Sequence, residues 1–308
     1  MTPTTFIEQA TLWKADKRQY VKKASYAIYS RLCNHLIIPA FRDISVPDEP
    51  SIQAFANDLL NRGYAIKTVK DTMLVLKMII RYGEKTGAWP HIEYTVHYPS
   101  SAEAPKDLPI LSRTDLNKLL QHLRSNFSFQ NLGLLICLHS GLRIGEVCGL
   151  QWKDLDIEAG VIRVNKTVQR INLTDGNTHE YYISVDTPKT PSSIREIPLS
   201  GELKSIIRPL KKVLTPDYYV ISGAGQPLEP RQYRTYFKKV LQLLEIPTVR
   251  FHALRHSFAT RCIESKCDYK TVTAILGHAS ISPTLDLYVH PGYAEKRKCI
   301  DRLARMLE

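Results

Sequence analysis

Nowhere does this 308-residue chain string together the roughly 20 apolar residues that a membrane-spanning helix requires. The opening Met1-Thr2-Pro3-Thr4-Thr5 lacks the basic-then-apolar plan of a secretory signal. Paired cysteine spacing is missing as well. Cys33, Cys137, Cys148, Cys262, Cys267 and Cys299 fall at scattered intervals, which argues against a disulfide framework or a metal-ligand set. Several lie in apolar helical surroundings and read as small core residues in a reducing compartment. A soluble, cytoplasmic protein without membrane contact is the expectation.

Acidic residues are also in short supply. Against 42 Lys+Arg stand 30 Asp+Glu, a formal charge of +12. Such an excess favours a polyanionic partner, and nucleic acid is the commonest one. The imbalance is spread along the chain: 14 basic against 10 acidic residues up to Lys106, and 28 against 20 after it. Both parts are therefore expected to touch one DNA. Charge by itself fits a merely solvated surface equally well, so the motifs decide.

All periodicity breaks at Tyr98-Pro99-Ser100-Ser101-Ala102-Glu103-Ala104-Pro105-Lys106, with two prolines among small residues. The expected organisation is a helical domain over 1–98, a linker over 99–106 and a second domain over 107–308. Four stripes at helical spacing precede the break: Phe6, Ala10 and Trp13; Tyr26, Tyr29, Cys33 and Leu36; Ile52, Phe55 and Leu59, stopping at Gly63; and Val69, Met73, Leu76 and Ile80. Lys14, Lys17, Arg18, Lys22 and Lys23 are the candidates for phosphate contact in this domain, each equally readable as part of a solvated helix face.

Beyond the linker, Ser112-Arg113-Thr114-Asp115 carries helix-capping residues, and Leu132 to Cys137 continues as an apolar helix that stops at Ser140-Gly141. Strand character follows at Val161–Val164, Tyr181–Val185 and Ile194–Leu199, and helical periodicity returns from Arg231 to Leu307. The fold class predicted is mainly α with a small antiparallel β-sheet, an α+β chain. The polar stretch Ile171 to His179 lengthens the connection into the sheet and reads as a passive surface loop, with contact to DNA or a neighbouring subunit as the alternative.

The chemistry-bearing residues lie in this second part. In Gly141-Leu142-Arg143-Ile144-Gly145-Glu146 the spacing sets Glu146 beside Arg143 on a helix, where it can hold the guanidinium; taken alone this is an ordinary surface ion pair. Arg255 follows His252 by three residues, so both fall on one helical face and can converge on one small group. Two guanidiniums suit the oxygens of a phosphate and the charge that builds on it during transfer. His252 and His256 have the spacing of a helical metal pair, but no adjacent glutamate and no cluster of further ligands accompanies them. No metal site is expected, and His256 reads as a buried residue. His278 follows Gly277, which fits a left-handed helix end. Tyr288 is one of 16 tyrosines, on a short helix announced by Ser282-Pro283-Thr284. A phenol with a pKa of about 10 needs a base or a cationic field before it attacks phosphorus.

Those residues, in that order, resemble the catalytic domain of the tyrosine recombinase family, the phage integrases and their relatives. The match is closest from Leu132 to Pro291. The resemblance places the family's arginines on Arg143 and Arg255, its companion acid on Glu146, its histidines on His252, His256 and His278, and its nucleophile on Tyr288. The pattern Thr187-Pro188-Lys189-Thr190-Pro191-Ser192-Ser193-Ile194-Arg195-Glu196-Ile197-Pro198-Leu199 resembles the segment that carries the catalytic lysine, hence Lys189. Lys166 is the rival, expected instead to meet backbone or solvent. Lys23-Ala24-Ser25-Tyr26 and the helix ending near His35–Pro39 resemble the family's core-binding, SAM-like domain, with no arm-binding domain ahead of it.

What the resemblance implies is a site-specific recombinase acting on double-stranded DNA with a specific recombination site. Tyr288 attacks phosphorus to give a 3′-phosphotyrosine; Arg143, Arg255 and His278 hold the non-bridging oxygens. Lys189 protonates the departing 5′-oxygen and His252 assists at the tyrosine. No cofactor is implied. The partners implied are a homo-tetramer on synapsed DNA, linked by the C-terminal helix that carries Ile300, Leu303 and Leu307, and accessory DNA-bending proteins. Three alternatives share parts of this pattern: a type IB topoisomerase, a non-catalytic DNA-binding relative and a metal-dependent hydrolase.

Overall fold

The computed structural model describes residues 5–99, 110–175, 178–188 and 190–277, together with Arg297, Ile300, Asp301 and Arg305, and gives only the backbone for 173–175 and 178–180. The chain divides into two compact units, Met1–Pro105 with Ile171–Tyr182, and Lys106–Arg170 with Ile183–Glu308. Among the described residues no helix is long and apolar enough to cross a membrane.

The first unit is built mainly of helices whose ends are written in the sequence. Helix α1 (Phe6–Tyr20) starts at a capping box in which Thr5 Oγ1 accepts from the Glu8 N–H at 3.3 Å and the Glu8 carboxylate accepts from the Thr5 N–H at 2.8 Å. Helix α2 (Lys23–Leu32) was expected to end near Pro39. The helical run does end there, one residue past Pro39, after continuing through a π turn at Cys33–Ile37 into the short α3 (Ile38–Ala40). Proline has no N–H to give to the carbonyl four residues back, and its ring crowds that carbonyl. The Ile38 N–H reaches one residue further, to Cys33 O, and the widened turn makes room for the ring. Asp48 caps α4 (Glu49–Asn61), accepting from the Ser51 N–H at 3.0 Å, and α5 (Ile66–Lys85) buries Val69, Met73, Leu76 and Ile80 as its spacing predicts. Phe6 stacks on Phe41 at 5.0 Å and on Trp89 at 5.7 Å, and Phe41 meets Phe55 edge-on at 5.2 Å. Each such pair adds about 0.5–1.5 kcal/mol beyond its buried area.

In the second unit Ser112 caps α6 (Arg113–Ser125), its hydroxyl accepting from the Asp115 N–H at 3.0 Å. Helix α7 (Phe129–Ser140) is buried from Asn131 to Cys137, on every side, and so runs through the core with α11 along it rather than over the surface. It stops at Gly141 and is followed by α8 (Ile144–Gly149). Strands β1 (Leu155–Asp156) and β2 (Val161–Val164) pair antiparallel, with Leu155 opposite Ile162. Next come β3 (Thr167–Asp175) and β4 (Thr178–Asp186), then β5 (Arg195–Pro198), which lies antiparallel to β2 with Ile162 opposite Ile197. The remaining helices are α9 (Gly201–Lys211), α10 (Pro230–Leu243), α11 (His252–Glu264) and α12 (Tyr269–Leu276).

Three expectations are corrected here. Within Ile171 to His179 the described residues are not loop: 171–175 form most of β3 and 178–179 the start of β4, a two-stranded sheet of its own, so Tyr181–Val185 does not belong to the three-stranded sheet of order β1-β2-β5. Its polar alternation conceals a hairpin, since strands with a solvated face need few apolar residues. Helix α9 has no counterpart in the expected elements, although Ser200 caps it and Leu203 and Ile207 are buried four residues apart. Of the cysteines, Cys33, Cys137 and Cys148 are buried as expected, whereas Cys267 is exposed at the end of α11.

Candidate active site

The site is assembled by two helix ends. Helix α7 terminates at Gly141 with φ 64° and α12 at Gly277 with φ 65°, both left-handed caps. Neither position tolerates a side chain: a Cβ on Gly141 would stand 2.6 Å from Phe258, and one on Gly277 2.9 Å from the Ser192 carbonyl and 3.0 Å from Arg195 Cδ. Helix ends leave carbonyl oxygens without intrahelical partners, and these ends carry partial negative charge. Two arginines answer them.

Arg255, on the first turn of α11, is 1% exposed. Its Nη1 donates to the Gly141 carbonyl at 2.8 Å and its Nη2 to the Leu276 carbonyl at 2.7 Å, so one buried cation bridges the C-termini of α7 and α12. Burying a guanidinium this deeply is tolerable only with such charge-assisted bonds. Arg143 comes to the same place from the other side. Rather than lying within a helix beside Glu146, it forms the N-cap of α8, where its backbone N–H donates to Glu146 Oε2 at 2.9 Å and its Nη1 to Oε1 at 2.8 Å. Its guanidinium also reaches the Leu276 and Gly277 carbonyls, each at 3.4 Å, and about a third of its side chain stays open to solvent. The expected pairing of Arg143 with Glu146 holds, made by a cap rather than by a helix face.

Glu146 is 4% exposed and serves two arginines. Arg195 Nη1 and Nη2 donate to its two oxygens at 3.0 Å each. Burial pushes the Glu146 carboxyl up, but the hydrogen bonds and charge of Arg195, the charge of Arg143 and the Arg143 N–H outweigh it and hold the group below the usual carboxylate value. The cluster Arg143, Arg195, Arg255 and Glu146 therefore holds three cations against one carboxylate. That surplus, beside two helix termini already saturated, suits an anion.

His252 opens α11 and is exposed, while His256 below it is 6% exposed, the two rings meeting edge-on with centroids 4.5 Å apart. Burial, together with the charge of Arg255, holds the His256 imidazole below its ordinary value and so neutral near pH 7. Among the described residues no group of three or more metal-ligating side chains occurs. The expectations for Lys189, His278 and Tyr288 fall outside the described residues. The residues on either side of Lys189 and the one before His278 are described: Pro188 is buried, Thr190 Oγ1 lies 3.0 Å from Ser193 Oγ, and the Ser192 carbonyl abuts Gly277. Lys166, expected to meet backbone or solvent, instead pairs with Asp154 Oδ2 at 2.7 Å and donates to Gln151 Oε1 at 2.8 Å.

Of the basic residues named in the first unit, Arg18, Lys22 and Lys23 are exposed; Lys17 sits over the Tyr20 ring at 4.7 Å. Lys14 is half-buried and donates to Asn34 Oδ1 at 2.7 Å. In the tail, Arg297, Ile300, Asp301 and Arg305 are helical and Ile300 is exposed, while Leu303 and Leu307 lie outside the described residues.

Arg195 is the residue that motif reading passes over. A strand alternates its side chains, so Arg195 must share a face with Ile197, which is 2% exposed, and Ile194 must face outward, which it does. The alternation was the available signal.

The model of the phage integrase family matches residues 109–295. The chain is similar to a tyrosine recombinase XerC-like protein of Caldanaerobacter subterraneus subsp. tengcongensis, 27% identical over 281 residues that cover 84% of this chain and 71% of that one. It is 24% identical over 292 residues to the integrase of Staphylococcus phage L54a, covering 84% of this chain and 80% of the relative. Its fold is similar to that of the Tn1549 transposon integrase solved in complex with a circular intermediate DNA, with a TM-score of 0.69, 23% identity and coverage of 96% and 99%.

Proposed function

The chain belongs to the phage integrase family and is a tyrosine recombinase, a DNA strand transferase, and we propose that it cuts and rejoins DNA through a covalent 3′-phosphotyrosine formed on Tyr288. The observation that carries the reading is the cluster in which Arg143 and Arg255 converge beside Leu276 with a surplus of buried positive charge. Preorganised donors of this kind act most strongly on charge that develops in the transition state.

In this reading the Tyr288 oxygen attacks a backbone phosphorus, the bond to the 5′-oxygen breaks, and Lys189 supplies the proton that leaves with it. Arg143, Arg255 and His278 hold the non-bridging oxygens, and His252 takes up the phenol proton. The phosphodiester energy stays in the phosphotyrosine, so a 5′-hydroxyl of a partner duplex reverses the step. His256, buried and neutral, supports the His252 ring from below. Metal and nucleotide have no part in these steps.

Residues 1–98 act as the core-binding domain, 99–106 as the linker and 107–308 as the catalytic domain. Its relatives include the integrase of a Staphylococcus phage and a transposase from transposon Tn916, which supports integration or excision of a mobile element. The working assembly is a homo-tetramer on synapsed DNA, linked by the C-terminal helix, with accessory DNA-bending proteins; a λ integrase tetramer on a Holliday junction is among the similar folds. Relaxation of supercoils, the topoisomerase alternative, is not favoured by these recombinase and integrase relatives.

The test is a nicked duplex bearing the site recovered by selection from randomised DNA. Native protein is expected to form a covalent adduct that Tyr288→Phe does not. An adduct with both proteins refutes the nucleophile.

A further inference from the structure

Arg195 has no role in the steps above, yet its guanidinium makes four hydrogen bonds. Its Nε donates to the Ile275 carbonyl at 2.6 Å, its Nη1 to Glu146 Oε1 and to the Ser193 carbonyl at 3.0 Å each, and its Nη2 to Glu146 Oε2 at 3.0 Å. Only 6% of its side chain is exposed. Such burial leaves it no access to a nucleic acid, so whatever it does for the reaction it does through its neighbours.

Those neighbours are three separate pieces of the site. Glu146 fixes Arg143. Ile275 belongs to the last turn of α12, whose next residue, Leu276, offers the carbonyl that Arg143 and Arg255 share, and whose chain leads through Gly277 to His278. Ser193 closes the turn that begins at Thr190, directly after Lys189 in sequence. The Arg195 stem itself lies against Gly277 at a distance that no side chain there would allow.

We propose that Arg195 is the positioning residue of this active site: it sets the register between the Arg143–Glu146 pair, the end of α12 and the segment following Lys189. This rests on the reading of the cluster as the phosphate-binding site. The reason is geometric and electrostatic at once. A planar guanidinium presents its donors in a fixed fork, so one side chain holds a carboxylate with two bonds and a carbonyl with a third; an ammonium cannot. By neutralising Glu146, Arg195 also leaves the charge of Arg143 uncancelled for the substrate. Reacting groups displaced by about 1 Å lose on the order of 100-fold in rate, and such a displacement follows when the fork is removed.

The experiment uses the full chain and the selected nicked duplex, with three readouts: the dissociation constant for one site, the single-turnover rate of adduct formation and the melting temperature. Arg195→Met is expected to slow adduct formation about 100-fold with site binding within about threefold of native, and Arg195→Lys to recover about tenfold of that loss. Combined with Glu146→Gln, Arg195→Met is expected to lose no more than either change alone, because both break one unit. Should Arg195→Met prove unfolded, Arg195→Lys carries the test, with adduct formation about tenfold below native and binding unaltered. Native adduct rates in the folded variants overturn the proposal, as do losses that multiply in the double variant or fall entirely on binding. Arg143→Ala and Tyr288→Phe are run beside them: if these still form adduct, the underlying site assignment has failed; if they do not while the Arg195 variants remain fast, the positioning role alone has failed.

Discussion

Arg143 and Arg255, 112 positions apart in sequence, donate to one and the same atom, the carbonyl oxygen of Leu276, at 3.4 and 2.7 Å. That oxygen ends a helix, so it is among the few backbone acceptors with capacity left for two guanidiniums. The site is thus organised around a backbone atom whose position α12 determines. Like charges brought this close repel, and Glu146 together with the two helix termini offsets the repulsion in the free protein. A bound phosphate would complete the compensation.

The first consequence concerns Arg255→Lys. An ammonium cannot reach Gly141 O and Leu276 O with two parallel donors, and one buried carbonyl is left without its partner. We expect a loss of about 1–3 kcal/mol in unfolding free energy from the unsatisfied group. A larger effect is expected on adduct formation, on the order of 100-fold or more, if Arg255 is the transition-state donor proposed above. Urea unfolding and single-turnover cleavage measure the two separately; a lysine variant with native cleavage would contradict the role assigned to the guanidinium fork.

Gly277→Ala tests the helix end itself. With φ at 65° an L-residue costs roughly 1–2 kcal/mol. The added methyl would also stand 2.9 Å from the Ser192 carbonyl, a contact that backbone has to yield to. Lower melting temperature is expected together with slower cleavage, because the displaced carbonyl of Leu276 takes both arginines with it. Gly63 has the same backbone sign and open space around it, so Gly63→Ala should show the strain without the cleavage defect.

How much of this was legible beforehand follows from which forces act locally. Caps and stripes are local, and Ser112, Gly141 and Gly277 mark helix ends that the structure contains. Arg143, Glu146 and Arg255 could be named because their spacing matches a known order of residues, and the structure brings all three together. Arg195 escaped because a cation in a strand reads as solvent-facing unless its alternation with Ile197 is followed inward. Strand character at Tyr181–Val185 falls within β4, but its partner β3 escaped because its apolar residues are interspersed with polar ones, and the π turn escaped because Pro39 acts through a hydrogen bond it cannot make.

Stability should fall in two steps as the pH is lowered. His256 and His139 both sit below the ordinary imidazole value of 6.5, chiefly through burial, so the unfolded chain binds their protons first. Stability from this source is complete above about pH 6.5 and is lost as pH falls toward the folded values. Glu146 is likewise depressed below 4.5, despite its burial, by Arg195 and Arg143. Its contribution is present above that value and disappears as pH falls through the folded one. Chemical denaturation at pH 7.5, 5.5 and 4 gives the profile; His256→Gln should flatten the upper step, and a profile rising toward acid would contradict both assignments.

Removal of the tail addresses the proposed tetramer. Ile300 is helical and exposed, an apolar side chain with 64% of its surface open. A protein ending at Gly292 retains every residue of the cluster around Leu276. We expect it to occupy a single site with native affinity and to fail in pairing two sites, as read by gel mobility of synaptic complexes. Native recombination by the shortened protein would rule out the docking role.

The basic residues of the first unit separate into two kinds, and salt dependence distinguishes them. Arg18 and Lys23 are exposed at the end of α1 and the start of α2, where a phosphate contact requires no rearrangement of buried groups. Each contact that neutralises a phosphate contributes about 0.9 to the slope of log affinity against log salt. Arg18→Ala and Lys23→Ala should each lower that slope by about 1 and weaken binding to unrelated duplexes as much as to the selected site. Lys14 is different. Its ammonium is half-buried and donates to Asn34 Oδ1 at 2.7 Å, joining α1 to the π turn after α2. Lys14→Met should therefore lower the melting temperature and leave the salt slope as it was. A slope that drops with Lys14→Met but not with Arg18→Ala would place the DNA-facing surface on the other side of α1.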